Sequence, residues 1–397
     1  MRLALRLARR GYGRTSPNPM VGAVLVKRGQ IIGRGWHRKA GGPHAEIEAL
    51  QDAQERGHNP RGATLYVTLE PCCTHGRTPP CTRAILAAGI RRVVVGALDP
   101  NPRHAGRGLR VLQRAGVEVT WWSQAADTLP TGARGQSSHQ KIARDCTRLN
   151  EAFNHWIVRH TPFVTVKAAM TLDGKIATAS GESKWITGET ARAYGMRLRQ
   201  GSDAILVGIN TILQDDPSLT VRRSMAGRSI RRPASNGGPP RLRRIILDSM
   251  ARTPLTASVV TDDLARLTTI VVGRRAPQSR VAALAKRVNV LVAPLARSAT
   301  RNRPTIDLPW LLKRLGAERV TSLLVEGGGE VNAAFLLGGY AQRVAFFYAP
   351  KILGGREARK AVAGAGAQRL ADLMQLRDME WRRLGKDLLL LARIKPE

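Results

Sequence analysis

The chain reads as two consecutive α/β domains. Short apolar runs alternate with helix-spaced segments along its length, and a weakly periodic stretch interrupts them at 121–148. At 397 residues and 43% hydrophobic content, the chain is also longer than one core usually serves.

The elements follow in order. "VGAVLVKRGQIIGRG" (21–35) predicts a hairpin that turns at Arg28-Gly29. "HAEIEALQDAQERG" (44–57) has helical spacing, with Ile47 and Leu50 on one face and Gly57 as its stop. "ATLYVTLEP" (63–71) predicts a strand, "CTRAILAAGI" (81–90) a short helix and "RRVVVGALDP" (91–100) a buried strand. "GLRVLQRAGVEVT" (108–120) predicts a helix and then a strand. This alternation implies a largely parallel sheet. Residues 121–148 are rich in Gly, Ser and Thr and predict a linker or insertion, with Cys146 as a stray thiol within it.

A second pattern opens at "PFVTVKAAMTLDGKIA" (162–177) and continues through the helix "GETARAYGMRLRQG" and the strand "DAILVG" (203–208). A stretch rich in Gly, Pro and Arg (223–244) predicts a surface loop. "RIILD", "LTTIVVG", "VNVLVA", "VTSLLVEGGGEVNAAFLL", "RVAFFYAPKIL" and "DLLLLARI" complete the second α/β domain. The expected division is 1–120, a linker at 121–148, and 149–397.

Composition narrows the function classes. A formal charge of +35 suits either a nucleic-acid binder or a basic surface with part of its charge aimed at phosphorylated small molecules. The arginines are spread along the chain, without a basic tail or interleaved aromatics, so no nucleic-acid partner is expected. No run of about 18 apolar residues occurs, so no membrane partner is expected either. "MRLALRLARRGYGR" lacks the continuous apolar stretch of a signal peptide. Four cysteines in a chain of this length fit a reducing cytoplasm rather than a disulfide framework.

The most informative residues are His44, Glu46, Cys72 and Cys81. A zinc deaminase needs three protein ligands, an open position for water and a general acid/base that is not a ligand. Its known signature is His-x-Glu followed by Pro-Cys-x-x-Cys. His44-Ala45-Glu46 supplies the first half, and Pro71-Cys72 with Cys81 the second, with eight residues between the cysteines. Zinc lowers the pKa of its water to about 7, and Glu46 would carry that water's proton to the departing ammonia. Cys81 opens a predicted helix, whose dipole favours a thiolate there. A His-x-Glu on a helix is usually a solvated face, and a cysteine pair is usually core packing. The ordered conjunction of all four residues outweighs both. Cys73 competes with Cys72, and the preceding proline favours Cys72.

The second domain says less by itself. "VTSLLVEGGGEVNAAF" joins a strand to a helix through three glycines, a shape that can bind phosphate on helix N–H groups. It lacks the last glycine of the dinucleotide fingerprint and is equally a tight turn without ligand. Read alone, Arg199 and Arg222 are solvated arginines, Trp185 is core and Asp215 is a turn residue.

"TSPNPMVGAVLV", "HAEIEAL", "TLEPCCTHGRTPPCT", "DPNPRHAGRGL" and "TLDGKIATASGESKWITG" together resemble the bifunctional riboflavin-biosynthesis deaminase/reductase family. The resemblance implies a cytidine-deaminase-like α/β/α domain followed by a dihydrofolate-reductase-like α/β domain. The first would deaminate a diaminopyrimidinone bearing a phosphoribosylamino arm, with one zinc per chain. The second would reduce the ribose to ribitol with NADPH. The family also implies a homo-oligomer. By this resemblance, Asn18, Asp99 and Asn101 contact the deaminase substrate. Lys167, Ser183, Arg199, Leu219, Arg222 and Glu326 line the reductase substrate site. Met170, Trp185, Thr211, Asp215 and the run Gly328, Gly329, Glu330, Val331, Asn332, Ala333 and Ala334 line the NADPH site. The chain departs from the family at Thr74, where His is frequent. A weaker alternative is a nucleic-acid-editing zinc deaminase fused to a basic binding domain. The Gly76-Arg77-Thr78-Pro79-Pro80-Cys81 run and the second α/β domain argue against it.

Overall fold

The computed structural model describes residues 1–75, 79–122, 138–221, 242–296 and 305–395. The chain forms two compact units, Met1–His160 and Thr161–Glu397.

The first unit contains α1 (Arg2–Ala8), β1 (Gly22–Lys27), β2 (Gln30–Trp36), α2 (Ala45–Glu55), β3 (Thr64–Val67) and α3 (Cys81–Ala87). It continues with β4 (Arg92–Val95), α4 (Arg107–Arg114), β5 (Glu118–Trp121), α5 (Ser138–Leu149) and α6 (Glu151–Arg159). Its sheet order is β2-β1-β3-β4-β5. The two pairings that involve β1 are antiparallel, and the β3–β4 and β4–β5 pairings are parallel. The sheet is therefore half parallel rather than largely so, because the hairpin contributes the antiparallel half. That hairpin turns where expected, with Arg28 and Gly29 both at positive φ.

Small residues set how closely α2 lies on β2. Ala45, Ala49 and Ala53 form a fully buried stripe at i, i+4 and i+8. A Cβ at Gly33 would fall 2.3 Å from the Ala49 carbonyl oxygen, and one at Gly35 2.2 Å from that of Ala45. Only glycine permits this approach, which fixes the helix bearing His44 and Glu46 at its start.

The segment read from sequence as a linker is partly helical. Residues 123–137 lie outside the described residues, whereas α5 and α6 belong to the first unit. Cys146 is not a stray thiol: it is fully buried with Leu5, Leu69, Ala97 and Ile142. Burial pushes its thiol up to about 12. Asn150 ties this region down further, since its Oδ1 accepts the Met20 N–H at 2.7 Å and its Nδ2 donates to the Met20 carbonyl at 2.9 Å.

The second unit contains β6 (Phe163–Thr171), β7 (Lys175–Ala177), α7 (Glu189–Gln200), β8 (Ala204–Gly208), α8 (Ile209–Asp215) and β9 (Arg243–Leu247). Next come α9 (Ser258–Thr261), β10 (Thr268–Gly273), α10 (Gln278–Ala285), β11 (Asn289–Ala293), β12 (Leu295–Ala296) and β13 (Thr305–Ile306). The unit ends with α11 (Leu308–Ala317), β14 (Ser322–Val325), α12 (Gly329–Leu337), β15 (Arg343–Ala349), β16 (Arg359–Lys360), β17 (Leu376–Leu384) and β18 (Asp387–Ile394). Its main sheet runs β11-β10-β9-β8-β14-β6-β15-β18-β17. The strands from β11 to β15 are parallel, and β18 and β17 add an antiparallel edge. Arg243 and Arg244, expected in a surface loop, begin β9. Arg244 is 1% exposed and pairs with Asp262 at 2.6 Å. The rest of that expected loop, 223–241, lies outside the described residues.

Strand order reverses around β14, which lies between β8 and β6. In open parallel sheets ligands bind at the carboxyl ends of the strands at such a point.

Candidate active site

In the first unit, three elements bring His44, Cys72 and Cys81 together. His44 caps the start of α2, Cys72 follows β3, and Cys81 opens α3. Their ligand atoms all lie within 4.8 Å of one another. The His44 ring presents Nδ1 to both sulfurs, at 3.2 Å from Cys81 Sγ and 3.5 Å from Cys72 Sγ. One imidazole and two sulfurs so placed fit zinc, with a fourth position left open.

Electrostatics support that fit. The hydrogen bond with Cys81 brings the Cys72 thiol down to about 4, against the opposing effect of burial and with help from His44. The same bond, followed by burial and Glu46, raises Cys81. A dication among them would favour the thiolate form of both sulfurs. The backbone N–H of Cys81 donates to Cys72 Sγ at 3.3 Å. The start of α3 therefore stabilises a thiolate on Cys72, not on Cys81 as its place in the helix suggested. The dipole acts on whichever anion its N–H groups face.

Glu46 is 3% exposed in the first turn of α2. Burial, then the Cys72 sulfur, pushes its carboxyl up to about 7. A carboxyl poised there can both take and return a proton near neutral pH. Cys73 points elsewhere: its sulfur lies 3.8 Å from His104 Nδ1.

Asn18 is held by a neighbour that the sequence does not single out, and Asp99 by one that it does. Asn18 Nδ2 donates to His37 Nε2 at 3.2 Å, and His37 Nδ1 donates to the Pro43 carbonyl at 2.9 Å. The His37 ring meets that of His44 edge-on, with centroids 5.5 Å apart. Burial lowers the His37 pKa, which favours the neutral ring these bonds require. The only sequence signal was a histidine seven residues before His44. Asp99 is buried at the end of the β4 segment, and its Oδ1 accepts the Asn101 N–H at 2.9 Å.

In the second unit Glu326 directly follows β14. Arg199 grips it with two hydrogen bonds, Nε to Oε1 at 2.9 Å and Nη2 to Oε2 at 3.0 Å, and its Nη1 donates to the Thr220 carbonyl at 2.9 Å. Lys167 Nζ stands 3.5 Å from Glu326 Oε2. Arg199, read alone as a solvated surface arginine, has a side chain only 11% exposed. Burial alone would raise the Glu326 carboxyl, but Lys167 and Arg199 outweigh it and hold the group at about 2.

The depressed Glu326 pKa has a stability consequence. Its contribution is complete above the ordinary carboxylate range, about 4.3, and is lost as the pH falls from there through 2. Glu326→Gln should flatten this acid limb of the unfolding curve followed by circular dichroism. Arg199→Ala and Glu326→Gln should each cost about 3 to 5 kcal/mol at pH 7, because each leaves buried charge without its partner.

The other expected reductase residues have varied surroundings. Ser183 Oγ donates to Asp215 Oδ1 at 3.0 Å, so these two meet. Asp215 is the last residue of α8 and Thr211 lies in the same helix. Trp185 is not core: it is 64% exposed, with the Arg192 guanidinium over its ring at 4.7 Å. Leu219 is buried with φ of +50°. Met170 is buried on β6. Arg222 and the Gly76–Thr78 part of the first motif lie outside the described residues.

The glycine turn caps α12. Gly328 is its N-cap, and an added Cβ there would meet nothing within 4 Å, so the turn opens on free space. Four first-turn N–H groups without helical partners at such a turn fit a dinucleotide phosphate. Asn332 and Ala333 are turned inward, with Asn332 Nδ2 bonded to the Ala361 carbonyl at 2.8 Å, whereas Glu330 and Ala334 are exposed. Phosphate contacts here would come from backbone N–H groups rather than from the side chains of the run 328–334.

Residues 162–390 match the family described as the RibD C-terminal domain, and residues 1–97 match the cytidine and deoxycytidylate deaminase zinc-binding region. The riboflavin biosynthesis protein RibD of Actinobacillus pleuropneumoniae is 40% identical over 390 residues, covering 98% of this chain and 93% of the relative. The solved RibD of Acinetobacter baumannii has a TM-score of 0.79 at 34% identity, covering 99% of this chain and 97% of that one. A Thermotoga maritima diaminohydroxyphosphoribosylaminopyrimidine deaminase/5-amino-6-(5-phosphoribosylamino)uracil reductase has a TM-score of 0.75 at 32% identity, covering 100% and 97%.

Proposed function

The chain belongs to the RibD family of riboflavin biosynthesis proteins, and from that premise we propose how its own residues carry the family's two reactions. It is a bifunctional deaminase and reductase of that pathway, with a cytidine-deaminase-like unit, a dihydrofolate-reductase-like unit, and zinc and NADPH as cofactors. The substrate we assign to the first unit is 2,5-diamino-6-(5-phosphoribosylamino)pyrimidin-4(3H)-one. The second unit then reduces the ribosyl arm of the deaminated product to give 5-amino-6-(5-phosphoribitylamino)uracil.

The observation that carries the deaminase reading is a buried carboxyl, Glu46, beside a His-Cys-Cys cluster. Bound zinc supplies Lewis-acid activation of water, and NADPH supplies hydride. His44, Cys72 and Cys81 hold the metal. Glu46 takes a proton from the attacking water and returns it to the departing amine. Asn18, Asp99 and Asn101 hold the pyrimidine ring. In the second unit, Arg199 braces Glu326, and Lys167 faces the ribose beside it. Ser183, Leu219 and Arg222 complete the substrate side. Met170, Trp185, Thr211, Asp215 and the turn at 328–334 form the NADPH side.

We place the enzyme in the cytoplasm as a homo-oligomer, on the strength of its four free cysteines and of the family resemblance. No helix among the described residues is long and apolar enough to cross a membrane.

Following ammonia release and NADPH oxidation separately tests the assignment. A zinc chelator should stop ammonia release while NADPH oxidation on the deaminated substrate continues. Loss of both activities on chelation would show that the second reaction also depends on the metal.

A further inference from the structure

Glu70 immediately precedes the Pro71-Cys72 pair and is 4% exposed. Its carboxylate is spent on backbone. Oε2 accepts the N–H groups of Asp99 at 3.2 Å and Gly106 at 2.9 Å, and Oε1 accepts that of Gly108 at 2.9 Å. These bonds fasten both ends of the 99–108 loop to one side chain. Gly108 also sits against Pro71, where an added Cβ would fall 2.2 Å from the carbonyl oxygen.

The loop is ordered internally as well. Asp99 Oδ1 accepts the Asn101 N–H at 2.9 Å, and Asn101 Oδ1 accepts the Arg103 N–H at 3.0 Å. The Asn101 carbonyl accepts the N–H groups of His104 at 2.8 Å and Ala105 at 3.0 Å. Asp99 Oδ2 and Asn101 Nδ2 take no part in these bonds. The loop lies against the two residues that follow Cys72, since the His104 ring is 3.8 Å from Cys73 Sγ and 3.5 Å from Thr74 Oγ1.

We propose that Glu70 is a positioning residue for deamination: it clamps the 99–108 loop so that Asp99 and Asn101 meet the pyrimidine in a fixed geometry. The proposal rests on the reading that those two residues contact the substrate. Three donors converging on two oxygens require a carboxylate. An amide offers one acceptor oxygen and turns an NH2 group toward a backbone N–H. Preorganised contacts of this kind lower the ordering cost of binding.

The test compares Glu70→Gln and Glu70→Asp with the parent in the full chain. Four readouts are taken: zinc content, NADPH oxidation, KM and kcat for ammonia release, and hydrogen exchange of the 99–108 amides by mass spectrometry. Glu70→Gln should keep one zinc per chain and normal NADPH oxidation. Its loop amides should exchange faster, and its deaminase KM should rise about 10- to 100-fold while kcat falls less, as loss of a well-placed polar contact implies. Glu70→Asp keeps the charge but sits one methylene short, and should fall between Gln and parent. An unchanged KM in a folded, zinc-loaded variant overturns the proposal, whatever its exchange rates. Loss of zinc from Glu70→Gln also overturns it, because the carboxylate would then act on the metal ligands. A parent that releases no ammonia sinks the reading of the site and the proposal together. That differs from failure of the clamp alone, in which the parent stays active.

Discussion

Cys72→Ser should lose zinc and ammonia release together, whereas Cys73→Ser should keep most of both. Cys72 is the sulfur that the structure prepares for a cation: its thiol is brought down to about 4, and the start of α3 donates an N–H to it. Serine has almost no tendency to ionise at neutral pH and is a poor ligand for a borderline-soft metal. Cys73 is adjacent in sequence but faces His104, outside the cluster of three. Metal analysis of the purified variants, beside an ammonia assay, decides the matter. If Cys73→Ser were the variant stripped of zinc, the ligand set drawn from the geometry would be wrong. NADPH oxidation on the deaminated substrate should persist in both variants, which separates a lost metal from a misfolded chain.

Glu46→Gln should leave zinc bound and the fold intact, yet slow ammonia release by about 10² to 10⁴-fold, the usual worth of general acid–base catalysis. The glutamine matches the glutamate in size, so the packing of α2 against Gly33 and Gly35 survives. It cannot take a proton from water or return one to the amine. The effect should fall on kcat rather than on KM, since Glu46 serves the proton transfers rather than the binding of the ring. Turnover near that of the parent, with a full complement of zinc, would remove Glu46 from the mechanism.

Much of the deaminase centre was legible in the sequence because its chemistry uses rare residues in a fixed order. His44, Glu46, Cys72 and Cys81 stand within one stretch of strand and helix signals, and each is needed for its own side-chain atom. Glu70 and His37 were not legible. Apart from the Asn18 amide on His37, their partners are backbone groups of Asp99, Gly106, Gly108 and Pro43, and backbone groups carry no sequence signature. The candidate reductase residues were proposed only through family resemblance, since an arginine that grips a buried glutamate looks, in sequence, like any other arginine.

By itself the sequence determined the two α/β units, the hairpin at Arg28-Gly29 and the candidate metal-binding set, because turn chemistry, apolar periodicity and cysteine placement are local. Tertiary structure decided the rest. It carried α5 and α6 into the first unit through the burial of Cys146 and through Asn150, whose bonds to Met20 span 130 residues. It made a strand of Leu376–Leu384, whose "LRDMEWRRL" has no clean alternation, by pairing it with the apolar β18. It set β14 between β8 and β6, so that Glu326 meets Lys167 and Arg199. Those outcomes rest on which distant surfaces bury each other, and free energy of that kind belongs to the assembled fold rather than to any window of residues.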